Sequence, residues 1–264
     1  MKDSITQPKS KLTGAQAKWA TALFWLCIWV AAYLAVGEAL LLPAPWMVVF
    51  SLLRLLITPA FWVVTVGSLL RILAGFLLGL FVGGLLAAAA VAVPTIRTLM
   101  GLPMSIIKAT PVASFVILAL LFIKGQWFST FIAFLMVLPL AWSNILQGIE
   151  STDKELLEMA QVYRFSPLHT VRYIYLPSLF PYLLSAARVG MGFSWKAGIA
   201  GEVIAIPTGT IGTQLYNAKV YLNTADLFAW TAVVILLSLA LEHLTMVLLG
   251  RFTPAQKRKG GRKQ

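Results

Sequence analysis

The chain has 264 residues, 59% of them hydrophobic and only 11% charged, with a mean hydropathy of +0.86. A water-soluble domain of this size carries about a quarter of its residues charged, so that class is excluded. The formal charge of +12 invites a nucleic-acid partner, but in an oily chain basic excess reports topology instead, and no nucleic acid is needed. A single cysteine, Cys27, excludes an internal disulfide and a thiol metal cluster.

Apolar runs of about 20 residues recur along the chain, the length that crosses ~30 Å of hydrocarbon as a helix. Residues 1–18 form a polar tail with Lys2, Lys9, Lys11 and Lys18. The run 19–42 is too long for a signal-peptide core and is expected to be an uncleaved first span. WMVVFSLLRLL, 46–56, is too short to cross and is expected to lie at the outer surface as an interfacial helix. The second long run, 61–92, has glycines at 75, 79, 83 and 84, a spacing that lets helices approach closely in lipid. Arg71, early in that run, reads as an anchor at the outer interface.

A third span is expected over 104–123. Pro111 within it frees a backbone carbonyl and kinks the helix, and Thr110 can bond the exposed group. Further spans are expected at 127–146, 182–206 and 227–249, with a loop over 207–226. The reading is an all-α polytopic membrane protein with about six transmembrane helices. It comprises a tail 1–18, a transmembrane domain 19–250 and a basic tail 251–264. Six spans put both ends on one side, where fourteen lysines and arginines fall against three (Arg54, Lys124, Lys219) on the other. The positive-inside rule places both tails and the block 150–177 in the cytoplasm.

That block is the one long polar insertion. Thr152 followed by Glu155 fits a capping box for a short helix through LLEMAQVY, with Leu156, Leu157, Ala160 and Tyr163 on one face. Ser166-Pro167 is a serine N-cap with proline at the first helical position, so a second short helix starts there. Two short helices with a sharp corner could simply fill a loop, or could dock a cytosolic protein.

The run Glu158-Met-Ala160, three residues, Arg164, nine residues, then Ile174-Tyr-Leu176-Pro177 resembles the EAA loop of ABC-importer permeases, the inner-membrane components of binding-protein-dependent transport. Elsewhere LLPAPWMVV, KATPVAS, LPLAWSNILQGI, AGEVIA and GTIG resemble, in order, elements of the branch that handles nitrate, sulfonates and taurine. The resemblance covers about 40–250. It implies the type I ABC importer permease fold and an ATPase-coupling loop made by Glu158, Met159, Ala160, Tyr163, Arg164, Ile174, Leu176 and Pro177. Glu158, Ala160 and Arg164 would meet the ATPase, while Leu176 and Pro177 set the angle of the loop. Met159 departs from the family's first alanine and Arg164 from its glycine. If the corner needs a left-handed backbone, a residue with a Cβ costs about 1 kcal/mol there.

The resemblance further implies a cytosolic ABC ATPase dimer that uses ATP and magnesium, a second permease copy as a homodimer, and an extracytoplasmic substrate-binding protein, all around a bacterial inner membrane and its lipid. No G-x-x-x-x-G-K-[ST] loop occurs in the chain, so it is no enzyme and binds no cofactor of its own. Arg188, Lys196 and Glu202 fall inside the fifth expected span, where charge is costly and faces a bundle interior or a wet path. Arg188 and Lys196, with Ser194, Trp195 and Glu202, are candidates for an anion-friendly translocation path. Alternatively Arg188 snorkels to the inner interface and Lys196 pairs with a carboxylate. A secondary transporter or channel subunit is the competing function, but it would want inverted repeats or coupled carboxylates. A membrane enzyme would need convergent acids, bases or metal ligands, which two scattered histidines do not supply.

Overall fold

The computed structural model describes residues 14–250, which fold as helices without a strand among them. Helix α1 spans Gly14–Val36 and stops at Gly37, whose φ of +70° suits a residue without a Cβ. It starts earlier and ends sooner than the expected 19–42. Residues 14–18 of the expected tail thus belong to a helix, while 1–13 and 251–264 lie outside the described residues. Proline at the first turn launches α2 (Pro45–Ile57), the expected interfacial helix, and α3 (Pro59–Ala92). Two pre-proline residues then break the chain. Val93 and Thr110 are both held extended: the first separates α3 from α4 (Pro94–Ala109), and at the second α4 meets α5 (Val112–Ala119) at 107°. The expected third span is therefore two helices. Thr110 Oγ1 donates at 2.8 Å to the Ile106 oxygen, which already accepts from Thr110 N, and so does not take up the Ile107 carbonyl that Pro111 leaves without an N–H. There follow α6 (Phe128–Glu150), the short helices α7 (Lys154–Val162) and α8 (Pro167–Thr170), then α9 (Leu176–Ala205), α10 (Ile211–Val220) and α11 (Thr224–Gly250).

Helices α3 and α6 form the spine, and the glycine spacing explains how. A Cβ at position 79 would stand 2.7 Å from Val137 Cβ and 2.9 Å from the Phe134 carbonyl oxygen. At position 83 it would stand 2.7 Å from both Ala141 Cβ and the Leu138 oxygen, and at position 75 it would fall on the carbonyl of Thr130. Each glycine thus meets one carbonyl of a single row on α6. Residue numbers rise together on both helices, so they run parallel. A chain leaving the far end of α3 must therefore be carried back before α6 begins, and α4 with α5 does this. Met104 of α4 packs with Ala87, Leu138, Trp142 and Ile145, while Val116 of α5 packs with Phe128, Ile132 and Met136 near the start of α6. Despite its break, the pair makes one crossing.

The return helix α9 runs antiparallel to the spine. Gly148 faces Leu179 and Tyr182 near one end, Gly190 faces Phe76 and Val137 in the middle, and Gly201 faces Phe128 and Ile132 at the other. Its 30 residues span about 45 Å, enough to cross even with three charges aboard. Against it lies α11, where Trp195 Nε1 donates to the Val234 oxygen at 3.0 Å. At the far end of α11, Asp226 pairs with Arg54 of α2 at 2.6 Å and takes the hydroxyl of Ser51. Helix α1 touches the rest near its C-terminal end, through the stacked rings of Trp29 and Phe228 and the Trp29 Nε1 bond to the Pro43 oxygen at 3.1 Å.

The spine makes a direct prediction. Gly79→Leu should lower stability by roughly 1–3 kcal/mol through overpacking, while Leu78→Ala, on the outward face one residue away, should change it little. Thermal unfolding in detergent micelles compares the two.

Candidate functional site

The polar block folds as two short helices around a locked corner. Its start differs from expectation by one residue. The N-cap of α7 is Asp153, whose Oδ1 accepts from Glu155 N at 2.9 Å. Thr152 is buried and spends its hydroxyl on the Gly148 carbonyl of the last turn of α6, so it is not free to cap. An Arg97–Glu150 ion pair ties the start of α4 to this end of α6.

At the corner the chain closes α7 with a Schellman arrangement. Phe165 N donates to the Ala160 oxygen at 2.8 Å and Arg164 N to the Gln161 oxygen at 3.0 Å, with Arg164 at φ +52°. The left-handed backbone that the family's glycine would supply is thus present with an arginine in its place. Ala160 is buried at the turn and Ile174 is buried on the returning segment. Leu157, Ala160, Gln161, Arg164, Phe165 and Tyr175 line a cleft of about 360 Å³. Ser166 caps α8 as expected, with its Oγ 2.7 Å from His169 Nδ1. A wide π-helical turn over Val171–Tyr175 then merges α8 into α9. It comes just before Pro177, whose ring lacks an N–H and would strike a carbonyl of a regular helix.

Outward from the corner point Val162, Tyr163 and Leu168, each more than 70% exposed, with Glu158 and Met159 beside them and Leu176 and Pro177 exposed at the base. Val162 and Leu168 were not singled out from the sequence. Four of the eight inferred loop residues, Glu158, Met159, Tyr163 and Arg164, form the tip, while Ala160 and Ile174 hold it from within.

The five candidate path residues divide three ways. Lys196 is exposed with Val189, Phe193, Ala200 and Ile204, a stripe at helical spacing that no other helix of the described chain covers. Arg188 sits 80° around the helix, in a cleft between α9 and α11. Ser194, Trp195 and Glu202 are buried inside the bundle, where Ser194 Oγ donates to the Met191 oxygen at 2.9 Å.

Glu202 has a definite use there. Its Oε2 accepts from Ser68 Oγ at 2.9 Å and from Gly212 N at 3.2 Å, while Ser68 Oγ accepts from Ile211 N at 3.0 Å. The carboxylate thus satisfies the opening N–H groups of α10, directly and through Ser68. Gly212 lies so close to the Glu202 backbone that a Cβ would collide with it. The segments AGEVIA and GTIG, separate in the sequence, are two halves of one joint. Arg71 belongs here too. Read from the sequence as an outer anchor, it shares the α3 face of Ser68 and has one guanidinium nitrogen buried.

At the corner, Arg164→Gly should raise stability by about 1 kcal/mol because glycine adopts positive φ freely, and Arg164→Val should lower it. Thermal unfolding of the purified chain reads both signs.

Comparison with known proteins follows the same lines. The family model described as binding-protein-dependent transport system inner membrane component matches residues 72–258. The chain is 25% identical over 232 residues to the taurine transport system permease protein TauC of Escherichia coli (strain K12), covering 86% of this chain and 84% of that one. It is 25% identical over 217 residues to the putative aliphatic sulfonates transport permease protein SsuC of Bacillus subtilis (strain 168), covering 77% and 74%. To the nitrate import permease protein NrtB of Leptolyngbya laminosa it is 23% identical over 197 residues, covering 74% and 67%. In fold it is similar to a chain of the MetNI methionine ABC transporter in inward-facing conformations, with a TM-score of 0.55 at 16% identity, covering 80% of this chain and 99% of that one. This multi-pass chain therefore belongs to the family of binding-protein-dependent transport system inner membrane components.

Proposed function

We propose that this permease takes its drive from a separate cytosolic ATPase at the α7–α8 corner and conducts a small anionic solute inward along the open face of α9. The observation that carries the reading is the corner itself. Val162, Tyr163 and Leu168 present apolar surface to water from a backbone that is hydrogen-bonded in place, and such surface is costly unless a partner covers it. ATP and magnesium would be bound by that partner, since the sequence has no phosphate loop. ATPase closure would push the corner, and the continuous rod from Pro167 through the π turn to Ala205 would carry the push along the length of the bundle.

The anionic cargo is supported by chemistry on both sides. Relatives named for taurine, aliphatic sulfonates and nitrate handle solutes with a negatively charged oxygen group. Lys196 supplies a positive charge on the uncovered face of α9, where a second copy of the chain would complete the path. An external binding protein would deliver cargo at the end where α2, α10 and the start of α11 meet. The basic corner and tails would lie in the cytoplasm.

Reconstitution with the cognate ATPase and binding protein tests the coupling. Leu168→Asp should reduce ATP-driven uptake at least tenfold and release the ATPase on copurification, with thermal unfolding unchanged. Uptake at the unaltered rate would refute the coupling role. For the path, Lys196→Ala should weaken uptake of a sulfonate or nitrate, and unaltered uptake and selectivity would remove Lys196 from it.

A further inference from the structure

Arg188 stands apart from the residues that serve transport in the proposal above. It lies in a cleft of about 490 Å³ between α9 and α11, together with Pro181, Leu184, Ser185, Thr245 and Gly250. Along α9 its arc is that of Trp195 and Gly192, which pack on α11 nearer the middle of the bundle. At Arg188 the two helices no longer close on each other, and the side chain is left exposed. Among the described residues it has no hydrogen-bonding or ionic partner; the ion pairs there are Arg54–Asp226 and Arg97–Glu150. Glu242, the carboxylate of α11 on this side, sits against Gly192, one turn deeper, and does not reach the guanidinium.

The cleft opens at the level of Pro181 and Gly250, and Arg188 lies about 10 Å further in, counting 1.5 Å per residue along α9. A free cation at that depth is costly unless it reaches a headgroup. The walls beside it are apolar, from Leu184, Val189 and Met246. Apolar walls and an unpaired guanidinium inside match one kind of molecule.

We propose that the α9–α11 cleft is a binding site for an anionic phospholipid. Arg188 and Ser185 hold the phosphodiester between the apolar walls of Leu184, Val189 and Met246. Guanidinium recognition of a phosphate oxygen pair is the chemistry that arginine serves best.

The full chain in nanodiscs of equal phosphatidylglycerol and phosphatidylcholine, extracted into detergent for native mass spectrometry, tests this. The wild type should retain phosphatidylglycerol over phosphatidylcholine by about fivefold, the effect of one basic residue near an anionic headgroup. Arg188→Gln should bring the two lipids to parity, Arg188→Lys should keep most of the preference, and Lys196→Gln, the same charge change on the open face, should leave it intact. An undiminished preference in Arg188→Gln would overturn the site, as would no preference in the wild type. Displacement of the lipid by inorganic phosphate would also overturn it, by marking a site for solute anions.

Discussion

Three glycines of α3, at 75, 79 and 83, lie on the carbonyl row of α6, and this contact decides how the rest of the chain must run. In lipid there is no hydrophobic drive to bring helices together, so close packing of backbones has to do that work. Because the two helices are parallel, the chain cannot join them by a short turn. It needs a return crossing, and the broken α4–α5 pair supplies it with a bend placed where Pro111 allows one. The antiparallel α9 then fills the other flank of the spine, again through glycines at 190, 198 and 201 that let Phe76, Ile72 and Phe128 approach.

The second constraint is that backbone groups within hydrocarbon must find partners inside the protein. Polar side chains supply some of these partners. Thr110 Oγ1 bonds back to the Ile106 oxygen at the α4–α5 break, and Thr210 caps α10 by accepting from Thr213 N at 3.2 Å. Glu202 and Ser68 complete the start of α10 from neighbouring helices. A buried carboxylate that looks like a transport residue in the sequence is thereby a fastening between α3, α9 and α10. The same logic operates at the α7–α8 corner, where the Schellman bonds to the Ala160 and Gln161 oxygens close the end of α7.

The sequence was most legible where local chemistry sets the outcome. The Ser166-Pro167 restart, the strained residue at 164, the short apolar helix near 46–56 and the glycine face of α3 all follow from rules acting over a few residues. It was less legible where a neighbour decides. Helix α10 was hidden in an expected loop because its mean apolarity is low and its start is stabilised by Glu202 from another helix. Thr152 looked like a cap, but α6 runs far enough to claim its hydroxyl. Arg188 and Lys196 are 80° apart on a wheel, close enough to share a broad face, yet Arg188 faces the cleft beside α11 and Lys196 the uncovered stripe of α9. Arg71 read as an anchor because nothing local reveals the packing that buries one of its guanidinium nitrogens.

The proposed mechanism rests on the corner meeting an ATPase, and amide hydrogen exchange on the assembled transporter examines that contact without altering a residue. Segment 158–173 should gain strong protection when the cognate ATPase is added to the permease, with the greatest change from Tyr163 to Leu168 and little change in α1 or α2. Unchanged exchange across 158–173 in a complex that still drives uptake would contradict the account.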